Sequence, residues 1–334
     1  MFQTEINHFF QSLEFPGLTL FMRFITALGY TEFFMVFLLV FLLGIHYKKA
    51  FILFLVLMWT AAFTFIAKNY FELPRPFHVD NTLPLLDGQL PDENTFTFSK
   101  GGAPSFWTPL PEKVVAKTRQ AEHLEYGFPS GHTSIAIALW GTLLCLYKEK
   151  WVRAICVALM VLIPISRIYL GVHFLADVVG GTILGGILWY LTYLLILKKE
   201  RLQPFLAQQY FPLGANATTM FLLLAPIVFI FLLPSRVYIL PAFMLGLGLG
   251  FLLVGQKGVP INEGNFGIRL ARTLLGAVLF AGISYLLKQL ATVIGIDNTV
   301  LGDFLQNMLS GIVLIWVGTE VGVRLGWFKR ERMV

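Results

Sequence analysis

Three short stretches hold side chains able to do chemistry: Lys68 with Arg75, then Ser130-Gly131-His132, then Ser166-Arg167 with His173 and Asp177. Lysine and arginine bind phosphoryl oxygens. One imidazole can pass a proton, and another, held by a carboxylate, can attack phosphorus. The set amounts to a phosphate-binding cradle with an acid and a nucleophile. Almost everything around it is hydrocarbon, where ionisable residues are costly and usually functional.

Each cluster has its own logic. Lys68 and Arg75 are seven positions apart, about two helical turns, and share a face if a helix continues between them. Pro74 and Pro76 mark where that helix stops. Taken alone, both cations read first as anchors snorkelling to the interface. Pro129-Ser130-Gly131-His132 opens an apolar helix. Ser130 is a natural N-cap, and Gly131 lets backbone amides approach an anion closely. The free amides and the helix dipole favour phosphate there, with His132 facing it as proton donor. Arg167 offers a planar fork suited to phosphoryl oxygens. Gly171 permits the turn that follows. His173 and Asp177 lie four apart on one helical face. The carboxylate can fix the tautomer of the imidazole and leave its other nitrogen free. A plain helix-capping contact is the alternative for that pair.

The elements that must position these groups are membrane helices. The chain has 334 residues, of which 57% are hydrophobic and 13% charged. Long apolar runs occur at about 31–46, 50–67, 130–147, 151–168, 173–197, 217–233, 237–254, 268–290 and 300–327. The expected fold is all-α, a polytopic membrane helix bundle of about nine spans. Residues 8–30 read as an N-terminal interfacial helix ending at Gly29-Tyr30. No removable signal peptide is expected. The net charge of +6 reflects basic loops, so nucleic acid is not an expected partner.

Lys48-Lys49, Lys148/Lys150/Arg153, Lys198-Lys199/Arg201, Lys257/Arg269/Arg272 and Lys329-Arg330/Arg332 fall in alternate connections and at the C-terminus. The positive-inside rule puts these ends in the cytoplasm and the N-terminus outside. Arg236 runs against that pattern. All three motifs then land on the outer face. A long outer loop, 77–128, holds Asp80, Asp87, Asp92 and Glu93, read as a solvated face, and a short surface helix is expected over 111–124. Gly180-Gly181, Gly185-Gly186 and Gly246/Gly248/Gly250 read as close helix packing. Cys145 and Cys156 read as packing residues, and Glu320 with Arg324 as a helix-surface pair.

The three stretches resemble the tripartite signature of the type 2 phosphatidic acid phosphatase superfamily. That signature has a Lys, six residues and Arg-Pro; then Pro-Ser-Gly-His; then Ser-Arg, five residues, His, three residues and Asp. Every position is filled, and the likeness covers roughly residues 15–197. The resemblance implies that His173 is the nucleophile, forming a phosphohistidine, that Asp177 orients it, and that His132 protonates the leaving alkoxide and then activates water. It implies that Lys68, Arg75, Ser130, Gly131, Ser166 and Arg167 bind the phosphoryl group, with no metal and no cofactor. Residues 1–200 would form the phosphatase core and 201–334 an accessory transmembrane region whose role, an oligomer contact included, stays open.

The implied activity is dephosphorylation of a membrane lipid phosphate or pyrophosphate, in a bacterial inner membrane. A phosphatase of a soluble ester such as a sugar phosphate and a lipid phosphotransferase stay open as rivals. Haloperoxidase chemistry and a non-enzymatic transporter or scaffold fit less well.

Overall fold

The structure is a computed structural model that describes residues 1–88, 102–120, 125–214, 216–232, 238–297 and 299–330. The expectations placed on Asp92, Glu93, Arg236 and Arg332 lie outside these residues. Within hydrocarbon, every backbone N–H and C=O must find its partner inside the segment, so long apolar runs fold as helices. The described elements are α1 Glu5–Gln11, α2 Pro16–Ala27, α3 Thr31–Val40, α4 Tyr47–Phe71, α5 Pro76–Val79, α6 Glu112–Gln120, α7 Gly131–Leu146, α8 Lys150–Tyr169 and α9 Leu175–Thr192. They continue as α10 Lys199–Ala207, α11 Ala217–Leu232, α12 Ile239–Gln256, α13 Phe266–Ile294, α14 Val300–Ile312 and α15 Gly318–Arg324.

Among the described residues, six helical stretches are long and apolar enough to cross a membrane. Pro16–Ala27 and Glu32–Ile45 pass the same test only as a pair bent by 60°, and Gly131–Leu146 and Ala217–Phe231 are shorter apolar helices. The chain is thus a helical integral membrane protein. The short helix expected over 111–124 is present as α6.

The single surface helix expected over 8–30 is instead two helices. Pro16 starts the second, at the first helical position, where its missing N–H costs nothing. Their polarity is reversed relative to a soluble protein. Phe9, Leu13, Phe15, Leu20, Phe21 and Phe24 are exposed, while Asn7, Gln11, Thr19 and Thr26 are buried.

Packing divides the chain into two units. One comprises Met1–Phe34 with Trp59–Lys198, the other Met35–Met58 with Lys199–Val334. Residues 35–58 therefore pack with the C-terminal helices, and the unit holding the motifs is discontinuous in sequence.

In the motif-bearing unit, α7 and α9 meet through glycine. A Cβ on Gly185 would stand 2.4 Å from the Ser134 carbonyl oxygen, and one on Gly181 would stand 2.6 Å from that of Ser130. Gly180 makes room for the Phe128 ring, whereas Gly186 has nothing within 4 Å and is no packing glycine. Cys145 on α7 and Cys156 on α8 are free thiols, the second buried.

In the other unit, α12 and α14 approach just as closely. A Cβ on Gly246 would lie 2.0 Å from the Met308 carbonyl oxygen. Two of its cations are not loop charges at all. Arg272 is fully buried and donates to the carbonyls of Glu263 and Trp327 at 3.0 and 3.1 Å. Lys48, also buried, donates to those of Leu206 and Gln208. Glu320 does not pair with Arg324. It accepts from Arg330 at 2.6 Å and from Lys257 at 3.4 Å, because the chain after α15 turns back over it.

The glycine contacts give a paired expectation. Gly185→Ala should destabilise the detergent-solubilised protein by about 1–3 kcal/mol through overpacking. Gly186→Ala should leave the thermal unfolding curve unchanged or slightly raised.

Candidate active site

The site begins with a turn. Helix α8 ends at Tyr169, Gly171 takes φ +78°, and α9 starts at Leu175. A side chain at Gly171 would meet the Pro84 carbonyl oxygen at 2.8 Å, so the position needs glycine for space as well as for conformation. His173 sits on this turn. Its Nδ1 lies 3.1 Å from Asp177 Oδ2, which also accepts the backbone N–H of Phe174 at 2.9 Å. The carboxylate therefore caps α9 and contacts the imidazole at once. Both side chains are buried.

Helix α4 stops at Phe71, earlier than a shared helical face for Lys68 and Arg75 requires. Glu72, at φ +51°, breaks it, and Arg75 sits in extended backbone ahead of the single turn α5. The two cations still reach one place. A cavity of ≈ 470 Å³ is lined by Lys68, Arg75, Gly131, His132, Arg167 and His173, together with Tyr30, Phe65, Asn69, Glu125 and Tyr126. The three sequence clusters thus converge. The start of α7 is tied to that of α9 by the Ser130 amide donating to the Asp177 carbonyl at 2.9 Å.

Two expected ligands point elsewhere. Ser130 occupies the N-cap position of α7, but its side chain caps no amide; its Oγ accepts from Thr133 at 3.1 Å. Ser166 donates to the Ile163 carbonyl at 2.7 Å. A hydroxyl inside an apolar helix satisfies itself on its own backbone, and neither residue lines the cavity.

Each cation is held by a protein oxygen. Arg75 donates to Glu125 at 2.5 Å. Lys68 donates to the carbonyl of Tyr126, and to that of Gly127 at 3.4 Å. Arg167 donates to Thr26 at 2.6 Å. Burial, followed by the charges of Arg75, Lys68 and Arg167 and the nearby His132, pulls His173 well below the ordinary histidine range. Its imidazole is neutral near pH 7, as a nucleophile must be.

Residues that sequence reasoning missed hold the turn from behind. The Asn7 amide donates to the carbonyls of Ile168 and His173, both at 2.9 Å. Gln11 donates to Tyr169 and Pro84 carbonyls at 3.0 and 2.8 Å, and Thr19 shares a 2.7 Å bond with the Tyr169 hydroxyl. Asn7 and Gln11 are one helical turn apart in an apolar segment, which is the one signal that could have marked an inward polar face.

Asp80 is corrected too. It is not solvated but fully buried, accepting from Thr82 Oγ1 at 2.6 Å and lying 3.1 Å from His8 of α1. Burial alone would raise its carboxyl, but hydrogen bonds from Thr82, Thr4 and His8 hold it down at about 2. Among the described residues, no three His, Cys, Asp or Glu side chains gather as a metal-ligand set.

Residues 49–201 match the PAP2 superfamily. The chain is 34% identical over 73 residues to a lipid A 4'-phosphatase of Bacteroides thetaiotaomicron, covering 22% of this chain and 32% of that protein. It is 37% identical over 75 residues to phosphatidylglycerophosphatase B of Bacillus subtilis, covering 20% and 37%. The matched stretch thus spans about a third of each relative. Among solved structures, Aquifex aeolicus LpxE aligns with a TM-score of 0.43 at 23% identity, over 57% of this chain and 94% of that one.

Asp80 gives a prediction with a definite sign. A carboxyl held below its unfolded value of 3.8 contributes stability that is present above that pH. The contribution, about 2 kcal/mol, is lost as pH falls from 3.8 towards 2. Asp80→Asn should lower the melting temperature at pH 7 and flatten its decline below pH 4.

Proposed function

Because residues 49–201 match the PAP2 superfamily, we propose that this protein hydrolyses a membrane lipid phosphate or pyrophosphate through a phosphohistidine on His173. The observation that carries the reading is the His173–Asp177 pair at 3.1 Å, facing a cavity lined by Lys68, Arg75, Arg167 and His132. Phosphoryl transfer asks mainly for positioning and for stabilisation of charge on the equatorial oxygens. The three cations and the amides at the start of α7 can supply that.

Asp177 engages Nδ1 of His173 and leaves Nε2 as the attacking atom. Nε2 forms a bond to phosphorus as the ester P–O bond breaks. The departing alkoxide takes a proton from His132. In the second step, His132 removes a proton from water. The resulting hydroxide attacks phosphorus, the P–N bond breaks, and inorganic phosphate and neutral His173 are released.

The lipid class rests on two supports. The relatives named above carry lipid phosphatase names. The site residues also stand near the ends of apolar helices, where a phosphate on a lipid headgroup would be met if those helices span a bilayer. The alternation of basic connections supports an outer-face site, an external N-terminus and a cytoplasmic C-terminus.

Phosphate release should be measured with the detergent-purified protein in EDTA, on phosphatidic acid, phosphatidylglycerophosphate, undecaprenyl pyrophosphate, a lipid A phosphate and glucose 6-phosphate. Release from at least one lipid, abolished in His173→Ala, is expected. Release from glucose 6-phosphate alone would contradict the lipid reading, and no release would contradict hydrolysis. His132→Ala should lower kcat roughly 10²–10⁴-fold on a lipid ester, as for the loss of a general acid. The loss should be smaller on p-nitrophenyl phosphate, whose leaving group needs little protonation.

A further inference from the structure

The family match begins at residue 49, yet one side chain well before it stands in the cavity. Tyr30 follows α2 in the Leu28–Tyr30 turn, half-buried. Its ring meets the His132 imidazole edge-on, with centroids 4.7 Å apart and planes at 88°. It also hydrogen-bonds Arg167, whose guanidinium carbon lies 5.9 Å from the ring centre. The same turn fits tightly against His132. A Cβ on Gly29 would come within 2.9 Å of His132 Cδ2 and 3.3 Å of Ile163 Cγ2.

These contacts join two groups with separate tasks. His132 must stand where a leaving oxygen departs, and Arg167 must stand where an equatorial oxygen collects charge. They come from different helices, α7 and α8. Thr26 also holds Arg167. Tyr30 touches both, with its ring on one and its hydroxyl on the other. An Arg held by oriented acceptors loses less rotamer freedom on binding an anion.

We propose that Tyr30 is a positioning residue that sets His132 and Arg167 relative to each other for phosphoryl transfer. The proposal rests on the hydrolytic reading above, and it divides Tyr30 into two separable parts. The hydroxyl holds Arg167 and governs phosphate binding. The ring buttresses His132 and governs proton transfer.

The test uses the full chain in detergent. Wild type, Tyr30→Phe, Tyr30→Ala and Gly29→Ala are compared by kcat, KM and pH profile on p-nitrophenyl phosphate and on the best lipid substrate. Binding of inorganic phosphate, measured by titration calorimetry, gives a readout that needs no turnover. Tyr30→Phe should weaken phosphate binding and raise KM roughly tenfold, the loss of one charge-assisted hydrogen bond, with kcat and pH limbs unmoved. Tyr30→Ala should add a fall in kcat and a displaced pH limb. Gly29→Ala, which crowds His132 most closely, at 2.9 Å against 3.2 Å for the Thr26 carbonyl and 3.3 Å for Ile163, should move kcat and the pH limb more than phosphate affinity.

Equal phosphate affinity and KM in wild type and Tyr30→Phe would overturn the proposal. So would a common loss in all three variants that tracks a lowered melting temperature. If the wild type binds phosphate but hydrolyses nothing, the hydrolytic reading fails, and the calorimetric comparison of Tyr30→Phe still decides for or against the hold on Arg167. If the wild type binds no phosphate, both readings fall.

Discussion

Three cations, Lys68, Arg75 and Arg167, stand around one cavity at the end of apolar helices, and their mutual repulsion is the constraint that the motif-bearing unit answers. An uncompensated charge in such surroundings costs several kcal/mol. The answer is a ring of protein oxygens drawn from distant parts of the chain. Residues 125–127 serve two cations at once, with the Glu125 carboxylate on Arg75 and the Tyr126 and Gly127 carbonyls on Lys68. Gly127 is what lets this strand pass. A Cβ there would stand 2.7 Å from the Pro74 carbonyl oxygen and 3.0 Å from Asp177 Oδ2. The cluster is therefore held ready for an anion, with little left to reorganise when one arrives.

The proposed nucleophile is fixed by a second device. His173 rides on a turn with a left-handed glycine, and such turns rely on their surroundings for a single conformation. Helices α1 and α2 provide those surroundings. They put aromatic and aliphatic side chains outward, where a membrane helix meets lipid, and turn the amides of Asn7 and Gln11 inward onto the backbone of residues 168–173 and the hydroxyls of Thr19 and Thr26 onto the side chains of Tyr169 and Arg167. Asp80 locks α1 in turn through His8. A chain of hydrogen bonds thus runs from Asp80 through α1 to the backbone of His173. Such supporting contacts decide whether a site is held within catalytic tolerance.

What was legible in the sequence follows from how local each feature is. His173 and Asp177 are one helical turn apart, so spacing alone placed them together. The convergence of the three clusters followed from helix ends and the alternation of basic connections. Side-chain direction was not legible. Ser130 and Ser166 sit where phosphate ligands are expected, but a rotamer choice turns each hydroxyl to other partners. Asn7, Gln11, Thr26 and Tyr30 lie in a stretch whose polar residues could equally have met water. Asp80 looked solvated because its loop is polar, while its partner His8 is far away in sequence. The placement of residues 35–58 with the C-terminal helices has no local signal at all. It depends on packing between segments separated by more than a hundred residues, such as Tyr47 donating to the Ile315 carbonyl at 3.1 Å.

The central claim is that His173 carries the phosphoryl group during turnover. The most direct measurement is to mix the protein with a ³²P-labelled substrate, quench in alkali within the first turnovers, and map the label by peptide mass spectrometry. Phosphohistidine survives alkali and is lost in acid. Label on the peptide containing His173, acid-labile and absent in His173→Ala, is the expected result. Phosphate release in the first turnovers with no label on any histidine would contradict a covalent intermediate and leave water attacking the substrate directly.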